Sequence, residues 1–368
     1  MHSPDVFCPN MDCPARGQTG QDNIRSHGKT RLRFKCQLCG KTFSARAGTP
    51  FFRRRTAEAT ITCVVTLVGN GCPVPAIEAA FGFRAQTVRE WLDAAGQQCE
   101  RVHHAQVLRP RDLMHVQADE IRLKTQAGVL WVAMALMVTT RLWLGGAISP
   151  SRDRRLIQRL VAVVAACASF GPLLFVTDGL KTYIDVVRCA FRTRQPGRGG
   201  RPRLIGWPDV VIAQVVKQYA GRAVTGSIHR LVHGSVRMFL TLLWSTKGCQ
   251  VLNTAFIERL NGTFRSRLAV FGRRTRVLAR RLATVERGMY LVGTLYNFCC
   301  VHRSLRMPDG RRRTPAMATG ITDHVWSVSE VLHYRVPPPR WEPPRRRGRR
   351  SRALEALIDR WCPHHRLG

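Results

Sequence analysis

Three acids and four cysteines are the residues whose types and spacing could do chemistry. Asp119 lies in an apolar, strand-like stretch, Asp178-Gly179 ends the run Leu173 to Thr177, and Glu258 lies in Asn-Thr-Ala-Phe-Ile-Glu-Arg-Leu-Asn-Gly-Thr-Phe-Arg-Ser-Arg-Leu, residues 253–268. Glu258, Asn261 and Arg265 stand at i, i+3 and i+7, so a helix puts them on one face, beside an apolar stripe of Ile257, Leu260, Phe264 and Leu268. An acid next to an Arg-bearing polar face fits a site for metal and phosphate. Each acid also has a plain reading. Asp178-Gly179 could be an ordinary turn, Glu258 a solvated helix residue, and Glu120 could replace Asp119, which is favoured. The cysteines are Cys8-x4-Cys13 and, 22 residues later, Cys36-x2-Cys39 in Arg-Phe-Lys-Cys-Gln-Leu-Cys-Gly-Lys-Thr-Phe. Two such pairs offer four thiolates to a tetrahedral structural zinc ion, which leaves no open position for catalysis. So short a segment has no other core, so zinc would supply its folding energy.

Elements that could position the acids follow from apolar patterning. Met114 to Lys124, Gly128 to Thr140 and Leu142 to Ile148 read as strands, Ser151 to Phe170 as a helix, and Leu173 to Thr177 as a central strand covered on both faces. Three hairpin-linked strands and a helical crossover to a parallel strand make a mixed sheet. Asp119 then lies in its first strand and Asp178 at the exit of its fourth, where α/β sheets gather chemistry. Residues 57–69 read as a helix. Val74 to Phe81, Gly82-Phe83 and Ala85 to Glu100 read as helix, turn and helix, with Ile77, Phe81, Phe83, Val88 and Trp91 inside. This helix-turn-helix spacing leaves Gln86, Thr87, Arg89 and Glu90 outward, where base edges could be read. Glu78 stands where such motifs usually carry a small residue, and Arg84 is a poor N-cap.

Lys and Arg number 59 against 23 Asp and Glu, a net charge of +36 in 368 residues. Such a field argues for a polyanionic partner and against an ordinary metabolic enzyme. Basic residues crowd the cysteine module (Arg25, Lys29, Arg31, Arg33, Lys35, Lys41). They also crowd the stretch after Glu258, where Arg273, Arg276, Arg280 and Arg287 are expected on one helical face and Leu278, Leu282, Val285 and Met289 on another. The 80 residues from Asp178 to Glu258 imply an insertion, about 192–250, opening with a flexible basic loop and holding a strand at Val210 to Val216 and a helix at Val236 to Trp244. The tail from Arg335 is rich in Pro and Arg and is expected to be extended. Cys362, His364 and His365 have no partner knuckle. Met1 to Asn10 lack the pattern of a secretory leader, and Gly171-Pro172 splits the uncharged stretch Leu160 to Thr177, so no membrane span is expected. Thirteen cysteines, most single in apolar segments, suit a reducing compartment.

The order Asp119, Asp178, Glu258, with Asn-x4-Glu-Arg-Leu-Asn-x-Thr-x-Arg around the glutamate, resembles the DDE transposases of bacterial insertion sequences, above all those with an N-terminal zinc ribbon and a helix-turn-helix. Tyr296-Asn297-Phe298 with His302-Arg303-Ser304-Leu305, and Thr314-Pro315-Ala316-Met317, resemble segments downstream of the glutamate in that family. The likeness spans about residues 6–340. It implies a ribonuclease-H-like α/β core and DNA strand transfer by two Mg2+ (or Mn2+) ions. Chemistry agrees: two ions roughly 4 Å apart can activate an attacking oxygen and stabilise the leaving one, and each needs only one or two carboxylates.

The expected organisation is a zinc ribbon at 1–50, a helix-turn-helix at 56–106, the catalytic domain at 112–306 and a C-terminal extension at 307–368. Double-stranded DNA is the expected partner, as terminal repeats and as target, with Asn261, Arg265, Arg273, Arg276 and Arg280 on phosphates. A homo-oligomer in the bacterial cytoplasm, associated with the nucleoid, is expected. A DNA-binding regulator with an inactive core and a metal-dependent nuclease that does not join are the alternatives.

Overall fold

The structure is a computed structural model that describes residues 6–28, 33–195, 202–221, 223–246, 250–273, 275, 277–344 and 348–363. The expectations placed on Lys29, Arg31, Arg276, His364 and His365, and on half of the basic loop (196–201), lie outside the described residues. A three-stranded antiparallel sheet comes first, β1 (Ile24–Ser26), β2 (Arg33–Cys36) and β3 (Thr42–Ser44), followed by helices α1 (Glu58–Gly69), α2 (Val74–Phe81) and α3 (Ala85–Gln106). Then come β4 (Met114–Thr125), β5 (Gly128–Met137), β6 (Leu142–Ser149), α4 (Arg154–Cys167), β7 (Leu173–Thr177) and α5 (Thr182–Ala190). The pair β8 (Arg192–Gln195) and β9 (Arg203–Gly206) precedes β10 (Val210–Ala220), β11 (Ala223–His233), α6 (Val236–Ser245) and α7 (Ala255–Arg267). Helices α8 (Leu282–Phe298), α9 (Pro315–Ala318), α10 (Val328–His333) and α11 (Arg352–Trp361) end the order.

The main sheet is mixed, with strand order β11-β10-β7-β4-β5-β6. β4, β7 and β10 run parallel, and β5, β6 and β11 pair antiparallel to their neighbours. All five residues of β7 are buried, as a strand covered on both faces must be. α4 starts where Asp153 accepts the Leu156 N–H at 3.0 Å, and it buries Leu156, Ile157, Leu160, Val161 and Val164. α2 ends at Gly82, whose left-handed φ of 70° stops the helix. Arg84 gives α3 no side-chain cap; Glu78 Oε1 accepts the Ala85 N–H at 2.7 Å instead. Glu78, unusual for its position, therefore fastens the turn. Among the described residues no helix is long and apolar enough to cross a membrane.

Three expectations are corrected. Residues 273–281 are not helical where described, and α8 begins only at Leu282, so Arg273, Arg280 and Arg287 do not share a helical face. Thr275 Oγ1 accepts the Val277 N–H at 2.9 Å and Ala279 bridges to Thr125, holding the segment in turns and against β4. The strand at Val210 runs on to Ala220 and turns back as β11, which was not anticipated, because the outer half of that hairpin is exposed and shows no apolar face. The tail is not wholly extended. Ser351 accepts the Leu354 N–H at 3.3 Å and starts α11, whose Leu354, Leu357, Ile358 and Trp361 recur at helical spacing within an Arg-rich stretch.

The chain forms two compact units, Met1–Glu58 with His333–Gly368, and Ala59–Leu332. In the first, Trp361 and Leu357 pack with Cys8, Cys13, Ala15 and Cys36. The tail is fastened further by Arg16, which donates to the carbonyls of Pro339 at 2.7 Å and Arg340 at 2.9 Å, and by Gln18, which donates to that of Trp361 at 2.9 Å.

Candidate functional site

The cysteines of the first unit converge. Cys8 and Cys39 Sγ lie 3.7 Å apart, Cys13 and Cys36 Sγ 3.8 Å, and one sulfur from each of the four lies within 4.8 Å of the others. Sulfurs about 2.3 Å from a tetrahedral ion stand about 3.8 Å from one another, so the donor set fits Zn2+. Gly40 (φ 69°) makes the knuckle turn, its N–H reaching the Cys36 carbonyl at 2.9 Å. Burial pushes the Cys13 thiol up to about 12, against the pull of a hydrogen bond from the Ala15 backbone. Burial raises Cys39 too, but hydrogen bonds from the Lys41 backbone, Asn10 and Cys8 outweigh it and bring the thiol down to about 7. Arg25, Arg33, Lys35 and Lys41 are exposed around this centre. On α3, Gln86 and Arg89 are exposed and Thr87 is half-buried, while Val88 and Trp91 are buried beneath them.

In the second unit, sheet register brings two acids together. Gln117 of β4 pairs with Val176 of β7, so Asp119 lies just beyond the end of β7, where Asp178 follows Thr177. Carboxylate oxygens of Asp119, Glu120 and Asp178 lie within 4.8 Å of one another. Asp119 Oδ2 accepts the Asn261 amide at 2.8 Å, and Oδ1 accepts the Glu120 N–H at 2.8 Å. Burial raises the Asp119 carboxyl, and the charges of Asp178 and Glu258 add to the rise. Gln117 fastens α7 to β4: it accepts the Ile257 N–H at 3.1 Å and donates to the Asn253 carbonyl at 2.7 Å.

Glu258, one turn before Asn261, is held by Lys217 Nζ at 2.6 Å and Thr254 Oγ1 at 2.8 Å. Burial lifts its carboxyl, but the hydrogen bonds from Lys217 and Thr254 and the charges of Lys217 and Arg265 outweigh burial and lower it. Glu258 thus stands near Asp119 but outside the tight cluster, where Glu120 is the third member. Glu120 has a different setting. Its side chain is fully buried, its Oε1 accepts the Tyr183 hydroxyl, and Arg152 reaches its Oε2 through Nε at 2.9 Å and NH2 at 2.6 Å. Burial and the charge of Asp178 push it up to about 7 against these bonds. The same Arg152 NH2 lies 2.8 Å from Asp178 Oδ2, while the Leu180 N–H lies 3.0 Å from Oδ1.

Asn261 was expected on DNA, but it is only 1% exposed and its amide serves Asp119. Its Oδ1 is buried without a hydrogen-bond partner among the described residues, as is Arg265 Nε. Arg265 is half-buried and feels the charges of both Asp119 and Glu258. Arg287 does not face outward either; it pairs with Glu100. Arg273 and Arg280 lie on the irregular segment before α8. The downstream motif serves the fold, since Asn297 holds the Trp143 backbone at 2.9 and 2.8 Å and Thr314 caps α9. Gln117, Arg152, Tyr183 and Lys217 were not anticipated. Only Gln117 carries a local signal, sharing a strand face with Asp119 two residues on.

No protein-family model matches the chain, and no curated protein matches it.

Proposed function

We propose that this chain is a DDE-type DNA transposase with a ribonuclease-H-like core, which binds the terminal repeats of an insertion sequence and cuts and joins DNA. One observation carries the reading: Asp119 sits between Asp178, just past the end of the neighbouring parallel strand, and the face of α7 that bears Glu258, Asn261 and Arg265. The donors are hard carboxylate oxygens, and the unpartnered Asn261 Oδ1 adds a further one beside them, so the residues fit Mg2+ or Mn2+. Asp119, Asp178 and Glu258 would hold the ions, which when bound activate the attacking oxygen and stabilise the leaving one. The chain's own part is to orient: Gln117 sets α7 against β4, Asn261 aims Asp119, and Arg265 places a positive charge where phosphate would come. Zinc in the ribbon is structural, and the basic ribbon with Gln86, Thr87 and Arg89 of α3 would read DNA. Assembly on two DNA ends, in a bacterial cytoplasm, belongs to the same reading.

A second reading has an observation of its own. Arg152 and Lys217 already neutralise Asp178 and Glu258, as expected of a DNA-binding regulator whose acids make only ion pairs. Incubation with Mg2+ and DNA carrying the element's ends separates the possibilities. Joined product supports a transposase, cut product alone a nuclease, and bound but unchanged DNA a regulator.

A further inference from the structure

Three acids of the centre are gripped by two cations of the chain itself. Arg152 NH2 spans Glu120 Oε2 and Asp178 Oδ2, and Lys217 Nζ lies on Glu258 Oε1. We infer that Arg152 and Lys217 compete with divalent ions for these carboxylates, so that metal binding is an exchange that takes Arg152 off Asp178 and frees Lys217 for the phosphates of incoming DNA. The inference rests on the metal reading above. A divalent ion sits about 2.0–2.1 Å from a carboxylate oxygen. With a guanidinium nitrogen 2.8 Å from Asp178 Oδ2 and an ammonium 2.6 Å from Glu258 Oε1, ion and cation would share the same oxygens. Like charges at that separation repel, and one must leave.

The two acids that hold Arg152 are not equivalent. Asp178 is 38% exposed at the side chain, whereas Glu120 is fully buried, pinned by Tyr183, and receives two hydrogen bonds from the guanidinium. Breaking the single contact to Asp178 leaves Arg152 anchored on Glu120 alone and lets the guanidinium turn relative to the Trp131 ring, whose centroid is 5.2 Å from its Cζ. Glu120 is then the holder of an arginine rather than a metal ligand, which separates it from Asp119. Lys217 lies on the projecting part of the β10–β11 hairpin with its side chain 40% exposed, free to swing toward solvent once Glu258 is taken. Both are positioning residues.

The test is Mn2+ binding to the full zinc-loaded chain, read from the resonance signal of free Mn2+. Arg152→Gln should bind Mn2+ roughly tenfold more tightly, the size of one charge-assisted hydrogen bond. Lys217→Gln should gain about threefold, because its pair is screened by solvent. Asp178→Asn should lose binding. Mn2+ affinities of Arg152→Gln and Lys217→Gln equal to or weaker than wild type overturn the exchange while leaving the metal site standing. Absence of Asp178-dependent binding in the wild type removes the metal reading itself. Should Arg152→Gln not fold, Lys217→Gln, altered at a part-exposed position, decides alone. A second signature follows from Trp131: Mg2+ should change the fluorescence of the wild type but not of Trp131→Phe, and an unchanged wild-type emission at saturating Mg2+ counts against displacement of Arg152.

Discussion

Asn261 donates its amide to Asp119 Oδ2 at 2.8 Å, joining α7 to β4 across 142 residues of sequence. This bond, with the two made by Gln117, sets the distance from Glu258 to the strand acids. Asn261→Ala removes the donor and leaves Asp119 to turn freely. Partners that orient metal ligands are typically worth about 10- to 100-fold, and cleavage of end-containing DNA should fall by that amount while end binding is unchanged. Equal loss of binding and cleavage would instead assign Asn261 to the DNA surface.

Asp178→Asn keeps the shape of the side chain and removes its charge. Cleavage and joining should fall by about a thousandfold, as when a pre-organised electrostatic group is lost. Retained affinity in a gel-shift assay, with no product on a denaturing gel, is the expected pair of results. Full cleavage by this variant would take Asp178 out of the chemistry.

Zinc and Trp361 should be coupled, because Trp361 packs against Cys8, Cys13 and Cys36. Chelation should unfold the ribbon and shift Trp361 emission, leaving the second unit's thermal transition in place. Trp361→Ala should destabilise the first unit by about 3–5 kcal/mol, the usual cost of emptying a buried aromatic site. Zinc release to a chromogenic chelator reads this as a faster rate, and a rate equal to wild type would refute the coupling.

Acid should destabilise the second unit through two buried histidines. His103 is pushed down to about 3 by burial and by the charge of His104, and His115 to about 3 by burial and by Arg141. His103 Nδ1 and His115 Nε2 have no hydrogen-bond partner among the described residues. The unfolded chain takes up protons near the ordinary value of about 6.5, so below it the unfolded state binds more protons than the folded one. The stability these groups give is complete above pH 6.5 and is lost as the pH falls toward 3. Each histidine costs about 1.4 kcal/mol per pH unit within that window. Urea midpoints at pH 7, 5.5 and 4.5 should fall accordingly, and His103→Gln should flatten the slope; an unaltered slope would count against it.

Much of the second unit was legible because its signals are local. The four apolar residues Leu173 to Val176 and Thr177 before Asp178-Gly179 specify a covered strand, and Ile257, Leu260 and Phe264 specify the buried stripe of α7. The first strand then carries Asp119, and the exit of the fourth locates Asp178. What could not be read depends on distant partners. Arg152 meets Glu120 from 32 residues away, Lys217 meets Glu258 from 41, and Gln117 meets Asn253 from 136. Nothing near these residues in sequence separates them from solvated charges and strand amides. The arginine stretch misled for the opposite reason: its spacing suits a helix, but turns and a bridge to β4 win over the described residues of 273–281. In α11 the apolar spacing was present and the composition around it hid it.

Since Trp361 belongs to the core around Cys8, Cys13 and Cys36, a nascent polypeptide cannot complete its metal-stapled head until synthesis has passed position 361. Residues 59–332 can assemble before then. A messenger cut short between those points would yield the acidic centre without a finished cysteine module, so the order of translation itself makes that module the last part to close.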